Sequence, residues 1–82
     1  MYDILFHKNA EKQLEKLPRE IQIRVLSVLD RIKISPHSHV KKLVNTPYFR
    51  LRVGDYRIIL DIQSGKLIIF VIELGHIKNI YD

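Results

Sequence analysis

The sequence predicts an α+β domain: an N-terminal strand, a two-helix antiparallel hairpin, then a three-strand antiparallel meander, with the helices packed on one sheet. Two patterns carry that prediction. Apolar residues recur at helical spacing between Ala10 and Ile32, and alternate at strand spacing from Phe49 to Ile62. Turn signals at Gly54-Asp55 and at Gln63-Ser64-Gly65-Lys66 then divide the second half into strands.

Tyr2, Ile4 and Phe6 alternate with Asp3 and Leu5, which predicts a short first strand. Asn9 is a suitable N-cap for a helix whose apolar face is Ala10, Leu14 and Leu17. Its other positions, Glu11, Lys12, Glu15 and Lys16, read as a solvated face. Pro18 ends that helix and suits the first turn of the next. The second helix is expected from Arg19 to Ile34, burying Ile21, Val25, Val28, Leu29 and Ile32, and stopped by Ser35-Pro36. From His37 to Pro47 the pattern is irregular and polar. His37-Ser38-His39 has metal-ligand residue types, but without cysteine or a nearby carboxylate it reads as a solvated loop.

The hairpin that follows has a readable register. A two-residue Gly54-Asp55 turn sets Val53 opposite Tyr56, Arg52 opposite Arg57, Leu51 opposite Ile58 and Arg50 opposite Ile59. Leu67 to Leu74 is almost wholly apolar, with Glu73 its one charge, and is expected to be an interior strand covered on both faces.

At 82 residues the chain fits one domain, 1–82. The lack of cysteine excludes a disulfide scaffold, a thiolate zinc site and a cysteine nucleophile. The longest apolar run, Leu67 to Ile72, is six residues, against the roughly 20 that span a bilayer. No membrane association is expected, and the location expected is cytoplasmic. The net charge of +5 favours polyanionic partners. Its distribution is uneven: residues 41–60 carry five cations against Asp55 alone.

The hairpin register gathers Arg50, Arg52 and Arg57 on one strand-pair face. Like charges facing each other in a sheet destabilise it. Asp55, Asp61 or Glu73 could pair with them, or the side chains could splay into water. The reading favoured here is a phosphate site, because guanidinium groups hold phosphate oxygens bidentately and stay charged at any working pH.

Across nearly its whole length the chain resembles the RelE/ParE superfamily of toxins from prokaryotic toxin–antitoxin modules. The resemblance rests on Ala10 to Leu17 with its Leu14-Glu15-Lys16-Leu17-Pro18 ending, Ser35-Pro36, Lys41-Lys42-Leu43, Gly75-His76 with Tyr81, and above all the run Pro47 to Arg57. It implies a ribosome-dependent mRNA endonuclease that needs neither metal nor cofactor. In such enzymes the 2′-hydroxyl of one nucleotide attacks the adjacent phosphate, so RNA supplies its own nucleophile. Arg57 matches the arginine that stabilises the phosphate transition state. Arg50 and Arg52 match positions held by lysine in RelE proper, and Tyr81 matches a tail tyrosine that stacks on or orients the substrate. The chain departs from the family after Gly75-His76, where Ile77 replaces the usual arginine and Lys78 is the nearest cation. Arginines are poor general bases, which makes His76 a candidate acid or base. Lys41 and Lys42, with Arg50 and Arg52, are the expected RNA-binding residues.

The expected partners are a RelB-like protein antitoxin, the ribosome and mRNA. The superfamily also contains ParE-type toxins, which inhibit DNA gyrase by binding and do not cut RNA, and a degenerate toxin that keeps only antitoxin binding is a third possibility.

Overall fold

The computed structural model describes residues 1–78. In chain order the elements are β1 (Asp3–Phe6), α1 (Lys8–Glu15), α2 (Arg19–Ile32), a 3₁₀ turn (Pro36–Ser38), β2 (Lys41–Lys42), β3 (Phe49–Val53), β4 (Tyr56–Gln63) and β5 (Ile68–His76). The strands form one sheet in the order β1-β5-β4-β3-β2. The meander β3-β4-β5 is antiparallel, as the sequence predicts. The sheet is wider than the meander at both edges. β1 joins β5 in parallel, and β2 pairs with β3 inside the segment read as an irregular loop.

The β3–β4 hairpin has the register read from sequence, from Phe49 opposite Leu60 to Val53 opposite Tyr56. Gly54, the first central residue of its turn, has φ +58°. That left-handed conformation matches the right-handed twist of the strands and favours glycine.

Both helices pack on the same face of the sheet. Ala10, Val25, Leu29 and Ile32 close on Leu51, Val53, Ile58, Leu60, Ile69 and Val71. The amide of Gln22 bridges the inter-helix turn by donating to the carbonyls of Leu17 at 2.9 Å and Glu15 at 3.3 Å. α1 begins at Lys8 with His7 as N-cap, not at Asn9. The His7 amide donates to the Val71 carbonyl at 2.9 Å, so the chain leaves the sheet and enters the helix at one residue. α2 ends at Ile32, short of Ile34. The Lys33 carbonyl accepts from the Tyr2 amide at 3.0 Å and is drawn away from the helix.

β5 is interior in strand order but is not covered on both faces. Ile69, Val71 and Leu74 are buried against the helices, whereas Ile68, Phe70 and Ile72 are half-buried and Glu73 is exposed. The step from Val71 to Leu74 marks a bulge: Ile59 pairs with Glu73 but Leu60 with Val71, leaving Ile72 as the extra residue. The Gln13 side chain accepts a hydrogen bond from the Leu74 amide just beyond the bulge, at 2.7 Å. Leu67 belongs to the turn before β5, with φ +56°, and does not begin the strand. Among the described residues no helix is long and apolar enough to cross a membrane.

Candidate functional site

The helices leave the other face of the sheet open, and paired residues on neighbouring strands form rows across it. One row runs Lys41, Arg50, Ile59, Glu73. The next runs Arg52, Arg57, Gly75. β2 begins at Lys41, and His39, two residues earlier, closes the 3₁₀ turn with a helical backbone. Val40, between His39 and Lys41, packs against the core.

A cleft of about 380 Å³ follows this geometry, lined by Ser38, His39, Val40, Lys41, Arg50 and Arg52. A second concavity of about 390 Å³ wraps the β2 edge between Lys41, Lys42, Asn45 and Arg50. Arg50 and Arg57 are half-buried and Arg52 is exposed. The Arg52 Nε donates to the Gly54 carbonyl at 3.0 Å, which fixes its stem and leaves the terminal nitrogens to meet a ligand. The Arg57 Nε is shielded from solvent. Gly75 stands opposite Arg57 and brings no side chain of its own to that pair. Of the carboxylates weighed as partners, Asp61 accepts a hydrogen bond from Gln63 Nε2 at 3.0 Å.

The expected site residues divide by strand alternation. Arg50, Arg52, Arg57 and Lys41 share the open face. Lys42 pairs with Phe49 and therefore projects to the other face, where its ammonium lies 5.7 Å from the Phe49 ring centroid and donates to the Thr46 carbonyl. His76 pairs with Tyr56 and also lies on the face opposite the arginines, its ring edge-on to Tyr56 at 5.3 Å. The His76 Nδ1 accepts a hydrogen bond from the Lys78 amide at 3.2 Å. Ile77 donates its amide to the Asp55 carbonyl at 2.8 Å, tying the end of β5 to the Gly54 turn. Lys78 is exposed in the turn after β5. Tyr81 lies outside the described residues.

Two residues of this region escaped the sequence reading. His39, read as part of a solvated loop, lines the arginine cleft. Its neighbour His37 is exposed, as the loop reading expects, and its ring stands edge-on to Phe49 at 5.2 Å. Among the described residues no group of three or more His, Asp or Glu is gathered to hold a metal ion. Arg24 of α2 reaches the β3–β4 turn: a Cβ added at Gly54 would lie 3.2 Å from its Nη1.

Known proteins share both this sequence and this architecture. The family model for the ParE toxin of type II toxin–antitoxin systems matches residues 4–81. The protein named Toxin RelE3 of Methanocaldococcus jannaschii is 34% identical over 85 residues, covering 96% of this chain and 94% of that protein. Among solved structures, the toxin–antitoxin complex RelBE2 of Mycobacterium tuberculosis aligns with a TM-score of 0.86 at 24% identity, over 92% of this chain and 96% of that one. The archaeal RelE–RelB complex of Pyrococcus horikoshii aligns with a TM-score of 0.82 at 28% identity, over 96% and 98%. With a family model spanning nearly every residue, a full-length relative above 30% identity and the same sheet and helices, the chain belongs to the ParE toxin family of type II toxin–antitoxin systems, within the RelE/ParE superfamily.

Proposed function

We propose that this toxin is a ribosome-dependent mRNA endonuclease that stops translation, acting in the cytoplasm as a single domain held in check by a RelB-like antitoxin. The observation that carries the reading is the face without helices: three arginines and Lys41 stand there in two adjacent rows. Cleavage by the RNA's own 2′-hydroxyl forms an O2′–phosphorus bond and breaks the phosphorus–O5′ bond, through a phosphorane carrying extra negative charge. Fixed cations aimed at that charge lower the barrier. In this reading Arg57, half-buried and flanked by glycine, holds the phosphorane oxygens, while Arg50, Arg52 and Lys41 hold flanking phosphates. Guanidinium groups suit that work because they bind oxygens bidentately without giving up a proton. Tyr81 keeps its proposed role in stacking on or orienting the substrate, and Lys78 that of a cation near the sheet end.

The antitoxin is supported by the similar toxins solved together with RelB. The matching family model is described as a ParE toxin, and that description favours one second reading, inhibition of DNA gyrase by binding. Purified toxin incubated with mRNA on programmed ribosomes separates the two. Cleavage with a cyclic phosphate end is the expected result. Intact mRNA together with blocked gyrase supercoiling would transfer the assignment to the second reading.

A further inference from the structure

We infer that His39 is the general base of the proposed cleavage, taking the proton from the attacking 2′-hydroxyl. The inference rests on the endonuclease reading above and adds to it the one group that reading lacks. Arginine and lysine surround the cleft, and arginine does not accept or release a proton at working pH. Imidazole is the side chain whose ionisation ordinarily falls between pH 5 and 8. His76, the histidine that sequence reasoning favoured, projects to the opposite face with Tyr56, and its Nδ1 already accepts the Lys78 amide. His39 instead lines the same cleft as Arg50 and Arg52. Arg52 of that cleft pairs with Arg57, and Arg57 with Gly75.

The local fold delivers it there. Pro36 is buried and opens a 3₁₀ turn, and the His39 amide closes that turn by donating to the Pro36 carbonyl at 3.1 Å. Val40 is then anchored against the core, and His39 before it lines the cleft beside Arg50 and Arg52. The ring is exposed, and among the described residues its side chain makes no hydrogen bond or ion pair, which leaves a nitrogen to accept a proton. The charged groups around it are Lys41 from β2, Arg50 and Arg52 from β3, and Arg57 next in the row on β4.

In the step, an imidazole nitrogen takes the 2′-hydroxyl proton as the O2′–phosphorus bond forms and the phosphorus–O5′ bond breaks. Water supplies a proton to O5′, and the imidazolium returns its proton to solvent. Single-turnover cleavage on programmed ribosomes, measured against pH, tests the assignment with wild type, His39→Gln, His39→Ala and His76→Gln. The expected result is a rate loss of about 10²–10³ for both His39 variants. The rising limb of the wild-type profile should be absent from the His39 variants, and added imidazole should partly restore His39→Ala. His76→Gln should keep the limb. Normal thermal melting of the His39 variants would exclude unfolding as the cause. A His39→Gln profile that keeps wild-type rate and shape would overturn the assignment and leave the endonuclease reading standing. Failure of the wild-type protein to cut would overturn both.

Discussion

The two faces of the β3–β4 hairpin are built from alternate residues of the same strands, yet they do different work. Leu51, Val53, Ile58 and Leu60 are nearly solvent-free under the helices, at 0–4% exposure. Arg50, Arg52 and Arg57, interleaved with them, stand on the face that no helix covers. One face is a packed core whose cost of alteration is stability. The other gathers like charges, a cost to the sheet that the proposed phosphate ligand would lower. Because side chains alternate, one substitution reaches one face and spares the other. If the arginine face carries the proposed activity, toxicity and folding should be separable in this chain.

Breaking the core face should have the largest effect. Leu60 is fully buried, and Leu60→Ala should cost about 2–5 kcal/mol. A domain of 82 residues commands only about 4–12 kcal/mol in total. Urea unfolding should show the midpoint falling steeply. A loss below about 1 kcal/mol would mean that the helices do not seal this face. The matching change on the open face, Arg57→Ala, should leave the urea midpoint near wild type and lower single-turnover cleavage about 10²–10³-fold. Arg57→Lys should recover part of it, keeping charge but losing the bidentate fork. Unfolding by Arg57→Ala, or wild-type cleavage, would erase the division between the faces.

This division was legible where neighbouring strands are neighbours in sequence. Alternation plus the Gly54-Asp55 turn was enough to place Arg52 against Arg57 and Leu51 against Ile58. Local pattern carries no information about β1 pairing in parallel with β5, which joins residues such as Ile4 and Ile69 across most of the chain. β2 is only Lys41–Lys42, too short to show a period, and its loss from the reading hid both His39 and the separation of the two lysines. The bulge at Ile72 shifts the phase of β5, so its buried positions do not follow simple alternation. His76 was grouped with the arginines because imidazole is the side chain that can exchange a proton near neutrality. Pairing with Tyr56 sends it to the other face.

The two turns of the meander sharpen the comparison at smaller scale. Gly54→Ala puts a side chain at φ +58° and 3.2 Å from the Arg24 guanidinium. It should cost about 1–2 kcal/mol from backbone strain alone. A Cβ at Gly65 meets nothing within 4 Å and its φ is not positive, because Leu67 takes the left-handed position in that turn. Gly65→Ala should be neutral or gain about 0.4–1 kcal/mol by restricting the unfolded chain. Thermal melts of both variants decide the point, and equal effects would mean that the Gly54 conformation is not required.

The finest division falls between two adjacent lysines. Lys41 shares a row with Arg50 on the open face, while Lys42 lies against Phe49 and the Thr46 carbonyl on the other. If the open face holds RNA phosphates, Lys41→Ala should weaken toxin–RNA binding and flatten its salt dependence. One lost contact to a single strand corresponds to about 0.7 in the slope of log K against log salt. The site of cleavage should not move, since phosphate contacts position without specifying sequence. Lys42→Ala should leave the slope unchanged. Its effect should appear in stability, as the loss of an exposed ammonium's contact with the half-buried Phe49 ring, worth about 0.5–1 kcal/mol. Equal slopes for the two variants would mean that RNA wraps the β2 edge and meets both lysines, and that the footprint follows the edge of the sheet and not its open face.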